Sequence, residues 1–303
     1  MTPETLENIV AWLSSNTDML WFSAYWGLLA LLAGLEVAVP AFRPLPQREK
    51  RWPTNLGLGI LNMMLAPLAP VSAVLAAQWA QSRGLGILNL VGGPWWVAVI
   101  ATLAIRSFAS YLFHVLMHKV PLFWRIHRIH HFDTHIDVST SLRSHPLEFV
   151  AMLFTMVAIA VMFGLNPWAL AAYEVAENVV NLLTHANLRL PERLDRGLRW
   201  LLVTPNMHCL HHSSYRPETD SNYGQVFSLW DRLFGTYSVA PRGGYDAMQI
   251  GLAEITDERT ADLWWQIKSP VLSIERASAE AAAPGGIERS IGEAGRIADL
   301  GKK

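Results

Sequence analysis

The chain has eleven histidines in 303 residues, and all of them fall between His114 and His212. Nine lie in spaced groups: His114-x-x-x-His118, His127-x-x-His130-His131, His185 four residues after Asn181, and His208-x-x-His211-His212. Residues three and four apart share one face of a helix. Each H-x-x-H-H group is therefore expected to offer three imidazoles to a single locus, and the H-x-x-x-H group two. Neutral imidazole is a ready ligand for borderline metals such as iron and zinc. One four-coordinate zinc would leave half of these rings idle, whereas two ions with four or five ligands each would use them. His135 and His145 are further candidates, with interfacial hydrogen bonding as their alternative role. Without metal, rings so crowded would repel one another on protonation, and packing alone gives no reason to gather them.

Supporting polar residues follow a helical period. Arg106, Ser110, His114 and His118 form one stripe spaced by four, and Glu174, Glu177, Asn178, Asn181 and His185 form another. An ionisable residue inside a membrane span usually faces the bundle interior. Glu174 and Glu177 are expected to accept the outer N–H of ligand histidines, which fixes tautomer and ring orientation. The alternative is an Arg106–Glu174 ion pair. Asn181 is expected to sit behind the ligands rather than bind metal through its own amide oxygen. Asn222 and Tyr223, just past the last group, either hold it or form a plain turn.

The elements that must carry these groups are apolar. Only 16% of residues are charged, against about a quarter in an ordinary soluble domain. The deficit falls in long runs over residues 19–39, 56–79, 94–113, 147–163 and 168–183. About 20 apolar residues span a bilayer as a helix. Pro67 and Pro70 should kink the second run, and Gly164-Leu165-Asn166-Pro167 should turn the fourth into the fifth as a hairpin. The expected fold is an all-α polytopic membrane bundle of four to five spans with a cytosolic, histidine-rich helical cap. The expected division is membrane helices over 1–97, a histidine domain over 98–242 and an extension over 243–303, largely disordered from about 277. Residues 1–18 hold no Lys or Arg, unlike a secretory signal peptide, and their apolar spacing suits a short interfacial helix.

Charge bounds the partners and the orientation. Arg43, Arg48, Lys50 and Arg51 follow the first run, Lys119, Arg125, Arg128 and Arg143 the third, and Arg189, Arg193, Arg196 and Arg199 the fifth; the opposite side holds Arg83. The positive-inside rule puts the histidines on the cytoplasmic face and the N-terminus outside. A formal net charge of -1 gives no electrostatic case for a nucleic-acid partner. Cys209 is the single cysteine, which excludes an intrachain disulfide framework and a thiolate-rich metal site.

In this order the groups resemble the fatty acid hydroxylase/sterol desaturase superfamily, over roughly residues 100–239. The matching strings are His114–His118, RIHRIHHFD (125–133) followed by TSLRSHPLE (140–148), NLLTH (181–185), and HCLHH (208–212). Asn222-Tyr-Gly and WDRLFGT (230–236) complete the match. The resemblance implies a histidine-lined dimetal centre with two irons, zinc standing in for them in purified protein. It implies O2-dependent hydroxylation or desaturation of a fatty acyl, sterol-like or related lipid drawn from the bilayer. The fatty acid 2-hydroxylase branch has a histidine where this chain has Asn181. No fused cytochrome b5 domain is present, so electrons are expected from an external electron-transfer protein. Oxidising an unactivated C–H bond needs a redox metal, which zinc is not. The alternatives are a zinc-dependent membrane hydrolase, which would want an H-E-x-x-H string not found here, and metal transport or storage, whose sites usually lie nearer the bilayer midplane.

Overall fold

The structure is a computed structural model that describes residues 15–42 and 47–274. The interfacial helix expected over 1–18 and the tail expected to be disordered from about 277 lie largely or wholly outside the described residues. Among those described, the architecture is helical, with β-structure limited to isolated bridges. Four segments of the described residues are long and apolar enough to cross a membrane. Helix α1 (Thr17–Ala38) is the first. The second is broken into α2 (Arg48–Leu65), a 3-10 turn over Ala66–Leu68, α3 (Ala73–Ser82) and α4 (Ile87–Val91). The break falls at Pro67 and Pro70, because proline removes a helical donor and crowds the preceding turn. The third is α5 (Trp95–Lys119), which leads through Pro121 directly into α6 (Pro121–His131).

Helix α7 (Pro146–Phe163) is the fourth, and α8 (Pro167–His185) returns from it. The turn between them is built as expected. Gly164 ends α7 at φ +65°, and the Asn166 side chain accepts from the Ala169 N–H at 3.0 Å to start α8. Gly86 packs so closely here that a Cβ on it would sit 2.2 Å from the Gly164 nitrogen. Helix α3 packs against both α7 and α8. Helix α8 carries Glu174 and Glu177 within its length, so its polar face has to be covered by protein.

The opposite ends of these helices are bolted together by buried charge. Glu36, at the end of α1, accepts the main-chain N–H groups of Val138 and Asn187, each at 2.7 Å, and pairs with Arg48 at 2.5 Å. Arg51, one turn into α2, binds both oxygens of Asp133, one oxygen of Asp137 at 2.9 Å and the His135 carbonyl at 2.7 Å. Asn55 bonds Asp133 and Ser139 at 2.9 Å. The fully buried Arg143 reaches the Asn55 amide oxygen at 2.7 Å and the carbonyls of Ile129 and Thr260 at 2.8 and 2.5 Å. The loop after α6 is thus clamped by donors from the N-terminal helices.

Four short helices complete the cap: α9 (Glu192–Leu198), α10 (Pro205–His211), α11 (Arg216–Thr219) and α12 (Leu229–Leu233). Beyond Arg242 the chain runs as a strap rather than a helix, ending in α13 (Leu263–Lys268). The Gly251 N–H donates to the His212 carbonyl at 3.1 Å, and Arg128 donates to the Ser269 and Leu272 carbonyls.

Burial alone would raise the Asp133 carboxyl, but Arg51 outweighs it and holds it well below the usual carboxylate range. Its ion pair therefore stabilises the fold above about pH 4, the unfolded value, and that contribution fades as pH falls toward the folded one. Asp133→Asn, which removes one partner of a buried pair, should cost about 3–5 kcal/mol. The check is the apparent Tm of the detergent-solubilised protein at neutral pH, which should drop markedly against wild type.

Candidate metal centre

The nine spaced histidines come together at the cap end of the bundle in two adjacent groups. His114, His118, His127, His131 and His211 form one; His130, His185, His208 and His212 form the other. Within each group the candidate ligand atoms lie within 4.8 Å of one another. The rings are at most 9% exposed, so water is excluded from nearly all of them. Helix α5 contributes two rings, α6 three, α8 one, and α10 with its C-cap three. The groups touch through His131 and His212, whose ring centroids are 4.7 Å apart.

Each H-x-x-H-H box is divided between the groups, contrary to the expectation that it serves one locus. The i+4 ring is rotated about 40° to one side of the first ring and the i+3 ring about 60° to the other. His127 and His131 accordingly share a group while His130 crosses to the other, and His208 and His212 share a group while His211 crosses.

Hydrogen bonds on the outer side of the rings fix where the lone pairs point. The Nδ1 atoms of His114, His130, His185 and His211 meet the main-chain carbonyls of Tyr223, Arg143, Asn181 and Ser221 at 2.7–3.0 Å. A carbonyl only accepts, so these Nδ1 atoms carry the hydrogen. Carboxylates do the same for His127, through Glu148 at 2.8 Å, and for His118, through Asp220 at 3.3 Å. The Nε2 atoms of these rings are left as bare lone pairs. Yet His114 Nε2 faces His127 Nε2 at 3.1 Å, and His130 Nε2 faces His185 Nε2 at 3.1 Å. Two lone pairs at that distance repel unless a cation lies between them. His118 Nε2, His131 Nδ1, His211 Nε2 and His212 Nδ1 are also buried without any partner.

These distances suit a metal. Imidazole nitrogens bind first-row ions at about 2.1 Å, which puts two on one ion about 3.0–3.4 Å apart. Five of the rings are also held neutral. Burial, and then the neighbouring imidazoles, push His130, His131, His208 and His212 well below the ordinary histidine value, and burial lowers His211 to about 3.

The other residues singled out in the sequence have different roles. Glu177 does not reach a histidine. It pairs with Arg106 at 2.6 Å and accepts from Ser110 at 2.6 Å, so the two polar stripes do meet, through Glu177 rather than Glu174. It lies eight residues before His185 on α8, about 12 Å along the axis, too far to orient that ring. The orienting carboxylates are Glu148 and Asp220, whose only signal in the sequence is a carboxylate near a histidine box. Asn181 holds His185 through its main-chain oxygen, while its side chain donates to the Ser141 carbonyl at 3.3 Å. His145 lies outside both groups. Its Nδ1 accepts from Leu147 N–H to cap α7, and its Nε2 contacts the Ile267 carbonyl at 3.2 Å. His135 also lies outside, beside Thr134. Asn222, at φ +55°, ties the Met207 carbonyl to Ser238. Asp231 of the WDRLFGT string accepts from the Tyr223 and Gly224 N–H groups at 2.7 and 2.8 Å. That clamp holds the loop whose carbonyls orient His114 and His211.

Residues 99–236 match the model of the fatty acid hydroxylase family. The ornithine lipid hydroxylase OlsE of Rhizobium tropici is 26% identical over 238 residues, which is 75% of this chain and 70% of that protein. The alkylglycerol monooxygenases of Xenopus tropicalis and Homo sapiens are 29% and 28% identical, over 47% and 48% of this chain. The chain spans only 30% and 32% of those two proteins. No solved structure matches the chain. The region that carries every clustered histidine is thus a fatty acid hydroxylase domain, shared with relatives named as lipid hydroxylases and monooxygenases.

Two outcomes are expected. Protonation of His130, His131, His208, His211 and His212 in the unfolded chain, but not in the fold, makes the metal-stripped protein less stable as pH falls below about 6.5. Its apparent Tm should therefore decline from pH 7.5 to pH 5.5, while metal-loaded protein holds its value further into that range. In a second measurement, metal per chain by elemental mass spectrometry should fall from two toward one in both His131→Ala and His208→Ala. Each substitution removes a ligand from a different group.

Proposed function

We propose that the protein is a di-iron lipid oxygenase, with His114, His118, His127, His131 and His211 holding one iron and His130, His185, His208 and His212 the other. The observation that carries this reading is the pair of groups of inward-facing lone pairs opening on one cavity. That cavity, of about 220 Å³, is lined by His114, His127, His130, His185 and His208. When bound, two irons supply the reduction of O2 that C–H oxidation requires, a change zinc cannot undergo. The net reaction is R–H + O2 + 2 electrons + 2 protons giving R–OH + H2O, the electrons arriving from an external electron-transfer protein.

The chain's own residues prepare that chemistry. Glu148, Asp220 and four main-chain carbonyls hold six of the nine rings in one tautomer, so those rings need no reorientation when metal enters. Phe113, Met117 and Met152 supply apolar wall to the cavity, which limits water near a reactive oxidant. The basic residues flanking the spans favour a cytoplasmic cap and an N-terminus on the other side. The reductant would then dock from the cytosol while lipid enters from the bilayer.

Cells expressing the protein under 18O2 should yield one lipid class carrying a single 18O atom by mass spectrometry. The label should disappear in His131→Ala and His208→Ala cells. Lipid modification that continues without O2 would instead indicate a hydrolase.

A further inference from the structure

The metal-facing cavity does not end at the rings. Ser141, Ser144, Asn178 and Asn181 line both it and a second, lateral groove of about 580 Å³. The groove's volume falls within the roughly 300–1,000 Å³ of small-molecule sites. It lies between α1 and α2, walled by Trp21, Phe22, Tyr25, Met63, Ala66 and Pro67. Phe22 and Met63 are exposed, on segments apolar enough to cross a membrane. Ala66 and Pro67 belong to the break in the second span, so the proline that ends α2 also shapes this opening.

Where the two spaces meet, the lining changes from apolar to polar. Asn62 donates its Nδ2 to the Ser144 carbonyl at 3.0 Å. Because that carbonyl only accepts, the amide is oriented, and its Oδ1 is the atom left buried with no donor. On the cavity side Glu148 uses Oε1 for His127, and its Oε2 is likewise buried with no donor. Glu177 and Gln225 add further polar lining there. A plain methylene chain pushed through this collar to the rings would leave both acceptors unsatisfied, which is unfavourable. A group with N–H or O–H donors would satisfy them.

Building on the oxygenase reading above, we propose that a membrane lipid binds with its aliphatic tail in the lateral groove and a donor-bearing polar linkage at the Asn62–Ser144–Asn181 collar. The carbon presented to the rings then belongs to the head-group side of that linkage. Mid-chain and terminal methylenes stay in the groove, on the far side of the collar. The substrate class is a lipid with amide N–H, hydroxyl or ammonium groups next to its tail.

Two readouts test this on the full-length protein in nanodiscs and in cells. The binding probes are an N-acyl amino alcohol and the methyl ester of the same fatty acid, which lacks donors, titrated onto chelator-treated protein by native mass spectrometry. The amino alcohol should bind about tenfold or more tightly than the ester. Asn62→Ala should erase that preference. Ala66→Phe, at an exposed position, should weaken both probes about equally by filling the groove. Equal binding of the two probes to wild type, or no effect of Ala66→Phe, overturns the proposal. In 18O2-grown cells, tandem mass spectrometry should place the label on the head-group side of the linkage. Label along the tail overturns the binding mode and leaves the oxygenase reading standing. Absence of label from every lipid overturns the oxygenase reading, and the probe preference then decides the binding mode by itself.

Discussion

Nine imidazole rings gathered away from water form a set that ordinary hydrogen bonding cannot satisfy. Each neutral ring has one donor and one acceptor, and desolvation keeps the rings of the cap from gaining a second proton. Six of the donors are spent on oxygens outside the groups. The acceptors that remain point at one another, at distances such as 3.1 Å between His114 and His127. Such an arrangement is stable only with cations among the rings or a rigid scaffold around them. The rest of the structure reads as that scaffold.

The scaffold works by pinning main-chain carbonyls. Arg143 lends its own carbonyl to His130 and sends its guanidinium to Asn55 and the Thr260 carbonyl. Asp231 clamps the 222–224 loop, which orients His114 through Tyr223. Arg51, with Asp133 and Asp137, ties the second span to the loop after α6. Buried ion pairs are weak evidence for net stability, but removing one partner is costly. They therefore suit a site that needs a single geometry more than it needs a large folding free energy. The strap beyond Arg242 belongs to the same scaffold, since it holds the His212 carbonyl and the Arg128 guanidinium.

The same economy explains the polar residues within the bundle. Arg106 and Glu177 neutralise each other between α5 and α8, which lets α8 carry carboxylates through an otherwise apolar region without facing lipid. The face of α8 that follows, through Asn178 and Asn181, is then free to line both the cavity and the groove. A single helix thus joins the lipid-facing side of the molecule to the rings.

The positions of the apolar helices and the identity of all nine clustered rings were legible in the sequence, because both follow from short-range periodicity. Helix length comes from an uninterrupted apolar run. The proximity of His127 to His130 and His131 follows from 3.6 residues per turn. What periodicity could not decide was which ring joins which group, since i+3 and i+4 rings diverge around the helix axis and only neighbouring helices determine which side each one meets. The role expected for Glu177 failed for the same reason: a shared face does not fix height along the axis relative to a partner helix. Glu148, Asp220 and the carbonyls of Tyr223, Arg143 and Ser221 orient rings far from them in sequence or across a turn. Every residue has a carbonyl, so main-chain acceptors leave no mark in residue type. Only the tertiary fold selects the few that meet an imidazole.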